Sequence, residues 1–175
     1  QEIRVVCYTN APQARLLLDG KVVGEMKPYN AENGIIHWDI PYQSGELKAE
    51  GCDAAGNVLS EYVIRSSGRP YAIRAVSDIE SLSKEGSVAH VTVEVVDENG
   101  TVVKLADNEI TCHVEGPARL LGLEGSNNRD MSDYTDNRHR VYHGRLLAYI
   151  QPTGEEGPVR VVFSSPLLKG VTLDL

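Results

Sequence analysis

The stretch Val88-Ala89-His90-Val91-Thr92-Val93-Glu94-Val95-Val96-Asp97-Glu98-Asn99-Gly100 decides the fold class. Val91, Val93 and Val95 fall on one face and Thr92, Glu94 and Val96 on the other, the period of two that an extended strand imposes on its side chains. Asn99-Gly100 then supplies residues that accept the positive φ angles of a tight reversal. The spacing predicts a strand over 88–97 that turns back on itself, and the same rhythm recurs on both sides of it.

Upstream, strands are predicted over 3–8, 14–18, 21–25, 35–40, 46–51 and 58–65. Asp19-Gly20 is a two-residue hairpin sequence, and Pro41 closes the fourth strand because proline cannot donate to a central ladder. Arg65-Ser66-Ser67-Gly68-Arg69-Pro70 interrupts the alternation with small, polar and proline residues and marks a change of domain. Beyond it, strands are predicted over 72–77, 88–97, 101–104, 109–115, 119–123, 141–150, 159–164 and 171–175. Turn residues every ~8 to 12 positions without a helical period are the pattern of a β-sandwich. The expected fold is therefore all-β, two tandem immunoglobulin-like β-sandwich domains over residues 1–68 and 69–175.

The 175 residues include 17 Lys and Arg against 25 Asp and Glu, a formal net charge of −8, with 41% hydrophobic and 24% charged residues. Such a chain buries a core. An acidic balance without a basic run excludes a phosphate-neutralising surface, so nucleic acid is not an expected partner. No apolar run approaches the ~20 residues that cross a bilayer, so membrane insertion is not expected. The length is short of the ~250 residues of a complete (β/α)8 enzyme barrel. Gln1 opens the chain with neither an initiator Met nor a signal segment, which reads as a fragment of something longer or a mature product. Cys7, Cys52 and Cys112 are too few and too scattered for a disulfide framework or a zinc site, and read as buried thiols.

Catalytic parts are hard to find. There is no Gly-x-Ser-x-Gly elbow, no Gly-rich phosphate loop and no metal-binding helix motif, so no cofactor is expected. Asn108-Glu109 has the composition of a glycosidase acid/base motif but opens a short strand after a turn. His139 and His143 lie in a segment read as extended, where residues four apart share a face but stand too far apart for one ion. Asp97-Glu98-Asn99-Gly100 and Asp107-Asn108-Glu109 offer oxygen ligands for calcium, yet both are turn sequences whose side chains cap the local backbone, and no metal site is expected.

A carbohydrate site needs an exposed aromatic platform beside hydrogen-bonding side chains. Trp38 with Tyr29 and Tyr42 is one candidate, although a lone Trp in a sandwich more often fills the core. The other lies around the polar loop between Leu123 and Arg140, a long irregular segment of the kind that is often functional. Its candidate residues are Asn127, Asn128, Asp130, Tyr134, Tyr142 and Arg145, with the alternative that Arg145 ties the loop to the sheet.

Val5-Val6-Cys7-Tyr8-Thr9-Asn10 followed by Ala14-Arg15-Leu16-Leu17-Leu18-Asp19-Gly20 and Gly24 resembles the opening of a β-sandwich module of bacterial family 2 glycoside hydrolases. Trp38-Asp39-Ile40-Pro41-Tyr42, then Gly45-Glu46-Leu47-Lys48-Ala49 and Gly56, is similar to the continuation of that module. Ser67-Gly68-Arg69-Pro70 with Ile73-Arg74 looks like its exit. Val91 to Asp97 with Gly100, Val114-Glu115-Gly116-Pro117-Ala118, Gly144-Arg145 and Leu147 to Ile150 resemble the adjoining C-terminal module. Asp19-Gly20 stands where the pattern usually has Asn-Gly, and Glu124-Gly125-Ser126-Asn127 departs from the second module's Asn-Gly-Asp.

The resemblance implies a β-galactosidase-like parent whose catalytic (β/α)8 barrel carries both glutamates outside this chain. This chain would then be a non-catalytic accessory region bracing the barrel or its oligomer, with the parent's other domains as partners. It also implies a periplasmic or extracellular location. Two alternatives stay open at this point: a carbohydrate-binding module that takes glycans, and an immunoglobulin-like stalk of a surface adhesin.

Overall fold

The structure is a computed structural model that describes residues 1–82 and 87–175. It divides into two compact units, Gln1–Ser66 and Ser67–Leu175. Among the described residues every regular element is a strand, and none is a helix able to cross a membrane.

The first unit holds β1 (Glu2–Cys7), β2 (Gln13–Leu18), β3 (Lys21–Pro28), β4 (Ile36–Pro41), β5 (Glu46–Cys52) and β6 (Val58–Arg65). A four-stranded antiparallel sheet ordered β3-β2-β5-β6 faces a two-stranded sheet of β1 and β4. Ala14, Leu16, Ile36, Trp38 and Ile40 fill the space between them. Trp38 is only 2% exposed, and its Nε1 donates to the Glu25 carbonyl at 2.9 Å, so the one polar atom of the indole is satisfied. Gly24 makes room for it, because a Cβ there would stand 2.5 Å from the indole ring. This corrects the reading of Trp38 with Tyr29 and Tyr42 as a platform: the indole belongs to the core, which gains more from burying its large apolar surface.

The second unit holds β7 (Ala72–Ser77), β8 (Ala89–Val96), β9 (Glu109–Glu115), β10 (Ala118–Glu124), β11 (Arg138–Arg140), β12 (Arg145–Pro152), β13 (Arg160–Ser164) and β14 (Val171–Asp174). Its two antiparallel sheets run β10-β12-β8-β7 and β11-β9-β13-β14. Val91, Val93 and Val95 of β8 point inward with Ile110, Leu123, Ile150, Val161 and Phe163. His90, Thr92 and Glu94 occupy the outer face. Cys112 lies in this core, where burial pushes its thiol up to about 12 and keeps it protonated and unreactive.

One turn recurs in both units. Asp53 Oδ1 accepts from the amides of Ala55 and Asn57 at 2.9 and 2.8 Å, and Asp97 Oδ1 accepts from those of Asn99 and Thr101, both at 2.9 Å. In each the glycine three positions on has a positive φ, 89° at Gly56 and 79° at Gly100. The second oxygen of Asp97 accepts from Gly68 N at 2.7 Å, tying the start of the second unit to this turn.

Two predicted strands are corrected. The segment 101–104 makes only an isolated bridge, Val96 to Val102; Val103 and Ala106 drop into the core instead, with Val103 N donating to Val95 O at 2.9 Å. The predicted strand over 141–150 is broken by a hairpin. His143 and Gly144 take φ values of 51° and 74°, and Tyr142 and Arg145 exchange backbone hydrogen bonds of 2.8 and 3.1 Å. Two positive φ angles in a row are the geometry of the two-residue reversal whose twist suits antiparallel strands. The break allows Val141 on one side and Leu146, Ala148 and Ile150 on the other to be buried, a change of parity that a continuous strand does not permit.

Candidate functional site

A groove of about 650 Å³ lies beside strands β10 and β12 of the second unit. Its strand wall comes from Leu121, Gly122, Glu124 and Tyr149, and its loop wall from Ser126, Asn127, Asn128, Tyr134 and Thr135. Gly122 and Tyr149 are opposite one another across the β10–β12 ladder, next to a bulge at Leu121. A bulge of this kind twists a strand and re-aims its side chains.

The loop is held against the free edge of β10. Leu123 N donates to the Tyr134 carbonyl at 2.8 Å, and a Cβ on Gly122 would stand 2.6 Å from that carbonyl oxygen, so the close approach requires glycine. Further along, Cys112 N donates to Asn137 O at 2.8 Å. His139 on β11 is the buried post under the loop. Ser132 Oγ lies 3.2 Å from its Nδ1, and the Tyr134 ring packs on its imidazole at 5.3 Å. Nε2 of His139 has no hydrogen-bond partner among the described residues; Asp130 Oδ2, 3.5 Å away, is too distant for one.

Within the groove, the Tyr149 hydroxyl donates to Glu124 Oε2 at 2.7 Å. That hydrogen bond, with burial and the carboxylate charge, raises the phenol above its ordinary value and keeps it a donor. Asn127 Oδ1 accepts from Arg129 N at 3.2 Å. The Asn127 amide nitrogen, the Asn128 side chain, the Ser126 hydroxyl and Glu124 Oε1 bond to none of the described residues and are available to a ligand. Among the described residues no Lys or Arg lines the groove.

The structure thus gathers Asn127, Asn128 and Tyr134 from the sequence-predicted residues and leaves the other three off the walls. Asp130 caps the loop, its Oδ1 accepting from Ser132 N at 2.9 Å. That hydrogen bond is the main cause of its lowered pKa. Tyr142 packs on the neighbouring His143 ring at 4.1 Å in the hairpin turn. Arg145 is a sheet residue: its Nε donates to Glu94 Oε1 at 2.7 Å, while Arg74 Nε and Nη2 donate to Glu94 Oε2 at 2.8 and 2.6 Å. Burial pushes the Glu94 carboxyl up, but the two guanidinium groups outweigh it and hold the carboxyl below its ordinary value. Tyr149 and Glu124 were missed because they meet only through the β10–β12 register.

The other candidates resolve plainly. Glu109 is exposed at the start of β9, and the Asn108 backbone carbonyl accepts from Val141 N at 3.0 Å. Asp97 spends its carboxylate on three backbone amides, which lower its pKa. Among the described residues no group of three or more His, Cys, Asp or Glu converges on a metal position.

The first unit carries a second surface. Tyr62 and Ile64 of β6 pair with Ala49 and Leu47 of β5, and opposite residues share a face. Leu47 and Ala49 pack on the core, so Tyr62 and Ile64 also face inward. They are nevertheless 74% and 52% exposed, because the facing sheet has only two strands and stops short of them. With Val5, Val6, Cys7 and Tyr8 they line an apolar seam of about 430 Å³.

Comparison with known proteins gives consistent matches. Residues 73–174 match the family described as glycoside hydrolase family 2 C-terminal domain 5, and residues 1–60 match a domain of unknown function, DUF4982. The chain is 30% identical over 177 residues to the β-galactosidase BoGH2A of Bacteroides ovatus, covering 100% of this chain and 21% of the relative. It is 27% identical to a β-glucuronidase of Formosa agariphila, with 95% and 17% covered. A crystal structure of a β-glycosidase from Bacteroides vulgatus superposes with a TM-score of 0.92 at 29% identity, covering 100% of this chain and 22% of that one. The chain spans about a fifth of the length of these relatives.

Proposed function

The chain belongs to the glycoside hydrolase family 2 C-terminal domain 5 family, and from that premise we propose that it is the accessory region of a longer glycosidase. In this reading the longer protein hydrolyses O-glycosidic bonds, as the names of the β-galactosidase and β-glucuronidase relatives suggest. The chain itself is non-catalytic and braces the catalytic part. Support comes from the small share of each relative that the chain covers, 21% of the β-galactosidase and 22% of the β-glycosidase.

The observation that carries the bracing role is the apolar seam of the first unit. A sandwich of this size buries only ~60% of its unfolded surface and is marginal by itself. Leaving Tyr8, Tyr62 and Ile64 in water forgoes further burial, which a neighbouring part of the longer protein supplies. The test is the double substitution Tyr62→Ser with Ile64→Ser in the longer protein and in the 175-residue chain. The catalytic part should melt earlier in the first case, while the chain alone shifts little, since exposed substitutions usually stay within about 0.5 kcal/mol. Equal shifts in both would contradict bracing through this seam.

A further inference from the structure

We propose that the groove between β10, β12 and the 125–137 loop is a binding site for neutral saccharides. The site goes beyond the bracing role and stands or falls independently of it.

Its volume of about 650 Å³ lies within the ~300–1,000 Å³ of small-ligand pockets. Its chemistry is that of a polyol site. A pyranose offers C–H faces to an aromatic ring and hydroxyls at its edge, and the groove supplies Tyr134 and Tyr149 on its two walls. The hydroxyls find donors and acceptors in the Asn128 side chain, the Asn127 amide nitrogen, the Ser126 hydroxyl and Glu124 Oε1. None of these is consumed by the fold.

The loop that carries the two asparagines is fixed by the Leu123–Tyr134 hydrogen bond and by the buried His139. Binding therefore does not have to order it, which removes a large entropic cost. Charge selects the kind of sugar. Among the described lining residues Glu124 is the sole ionisable group besides the two tyrosines, and none is Lys or Arg. In a chain of formal charge −8, a uronate or sulfated sugar meets repulsion without a counter-charge.

The test is an NMR titration of the labelled 175-residue chain with lactose and cellotetraose as neutral probes and methyl β-glucuronide as the acidic one. The neutral probes should shift the amides of Gly122, Glu124, Asn127, Asn128 and Tyr134 saturably at millimolar concentration, with the glucuronide roughly tenfold weaker. Asn128 is exposed and its side chain bonds to none of the described residues, so Asn128→Ala keeps the structure and should weaken the neutral probes roughly two- to tenfold through one lost hydrogen bond. Glu124→Gln should bring glucuronide binding up toward that of the neutral sugars, an effect that a purely structural Glu124 would not produce. Absence of saturable shifts with both neutral probes, shifts outside the groove, or equal affinity for the glucuronide in the unsubstituted chain would each overturn the proposal.

Discussion

Replacing Gly122 with alanine tests how the loop is held. The new Cβ would sit 2.6 Å from the Tyr134 carbonyl oxygen, so that oxygen must retreat by roughly 0.5–1 Å to reach ordinary van der Waals contact. The Leu123 N–H···O bond, now 2.8 Å, then stretches past the ~3.2 Å limit of a good hydrogen bond. Leu123 is almost fully buried, and its amide would lose a bond without gaining water. One lost bond and one unsatisfied buried donor together cost roughly 2–3 kcal/mol, within the ~1–3 kcal/mol usual for overpacking.

The readout is hydrogen exchange at the Leu123 amide together with the urea midpoint of residues 67–175. Exchange should accelerate roughly 30- to 150-fold, the equivalent of that energy, and the midpoint should fall at unchanged slope. Saccharide shifts at Tyr134 should weaken in parallel. An unchanged Leu123 rate with an unchanged midpoint would refute the view that glycine is required there.

Other outcomes follow from the same structure. Because the folded carboxyl of Glu94 is depressed below its ordinary 4.5, its contribution is complete above that value and is lost as pH falls through the folded one. Acid titration of stability should show this loss, and Glu94→Gln should flatten the curve; an identical curve would deny Arg74 and Arg145 their role. Trp38→Ala in the first unit should cost about 3–5 kcal/mol, enough to collapse the dispersed amide signals of residues 1–66, whereas intact signals would contradict Trp38 as the centre of that core. The purified chain should not turn over nitrophenyl galactosides or glucuronides; turnover that persists after Asn108→Ala with Glu109→Ala would contradict the accessory reading.

The strand framework was legible because burial imposes parity. Val91, Val93 and Val95 declared their face, and Asp19-Gly20 and Asn99-Gly100 declared their turns, without any tertiary information. Where local pattern and packing disagreed, packing decided. Val103 looks like a strand residue but drops into the core with Ala106, and His143-Gly144 is a hairpin inside what read as one strand. Its signal was present in the parity change between Val141 and Leu146, and in a glycine preceded by a residue that tolerates positive φ.

The loop of the candidate site was visible as lost alternation, and Asn127, Asn128 and Tyr134, singled out from it, lie on the groove's loop wall. Its strand wall was not, because Glu124 and Tyr149 are 25 positions apart and meet only once register and bulge are known. Arg145 was drawn to the loop by proximity in sequence. Its real partner, Glu94, lies 51 positions away on β8, and no local rule points to it.

Hydrogen exchange on the longer protein, compared strand by strand with the 175-residue chain, probes the accessory role most directly. If the seam of the first unit seats another part of that protein, the amides of β1 and β6 around Val6, Tyr62 and Ile64 will exchange more slowly in the longer protein, while the strands of the inner ladder β2–β5 change little. Identical rates at β1 and β6 in the two proteins would contradict it.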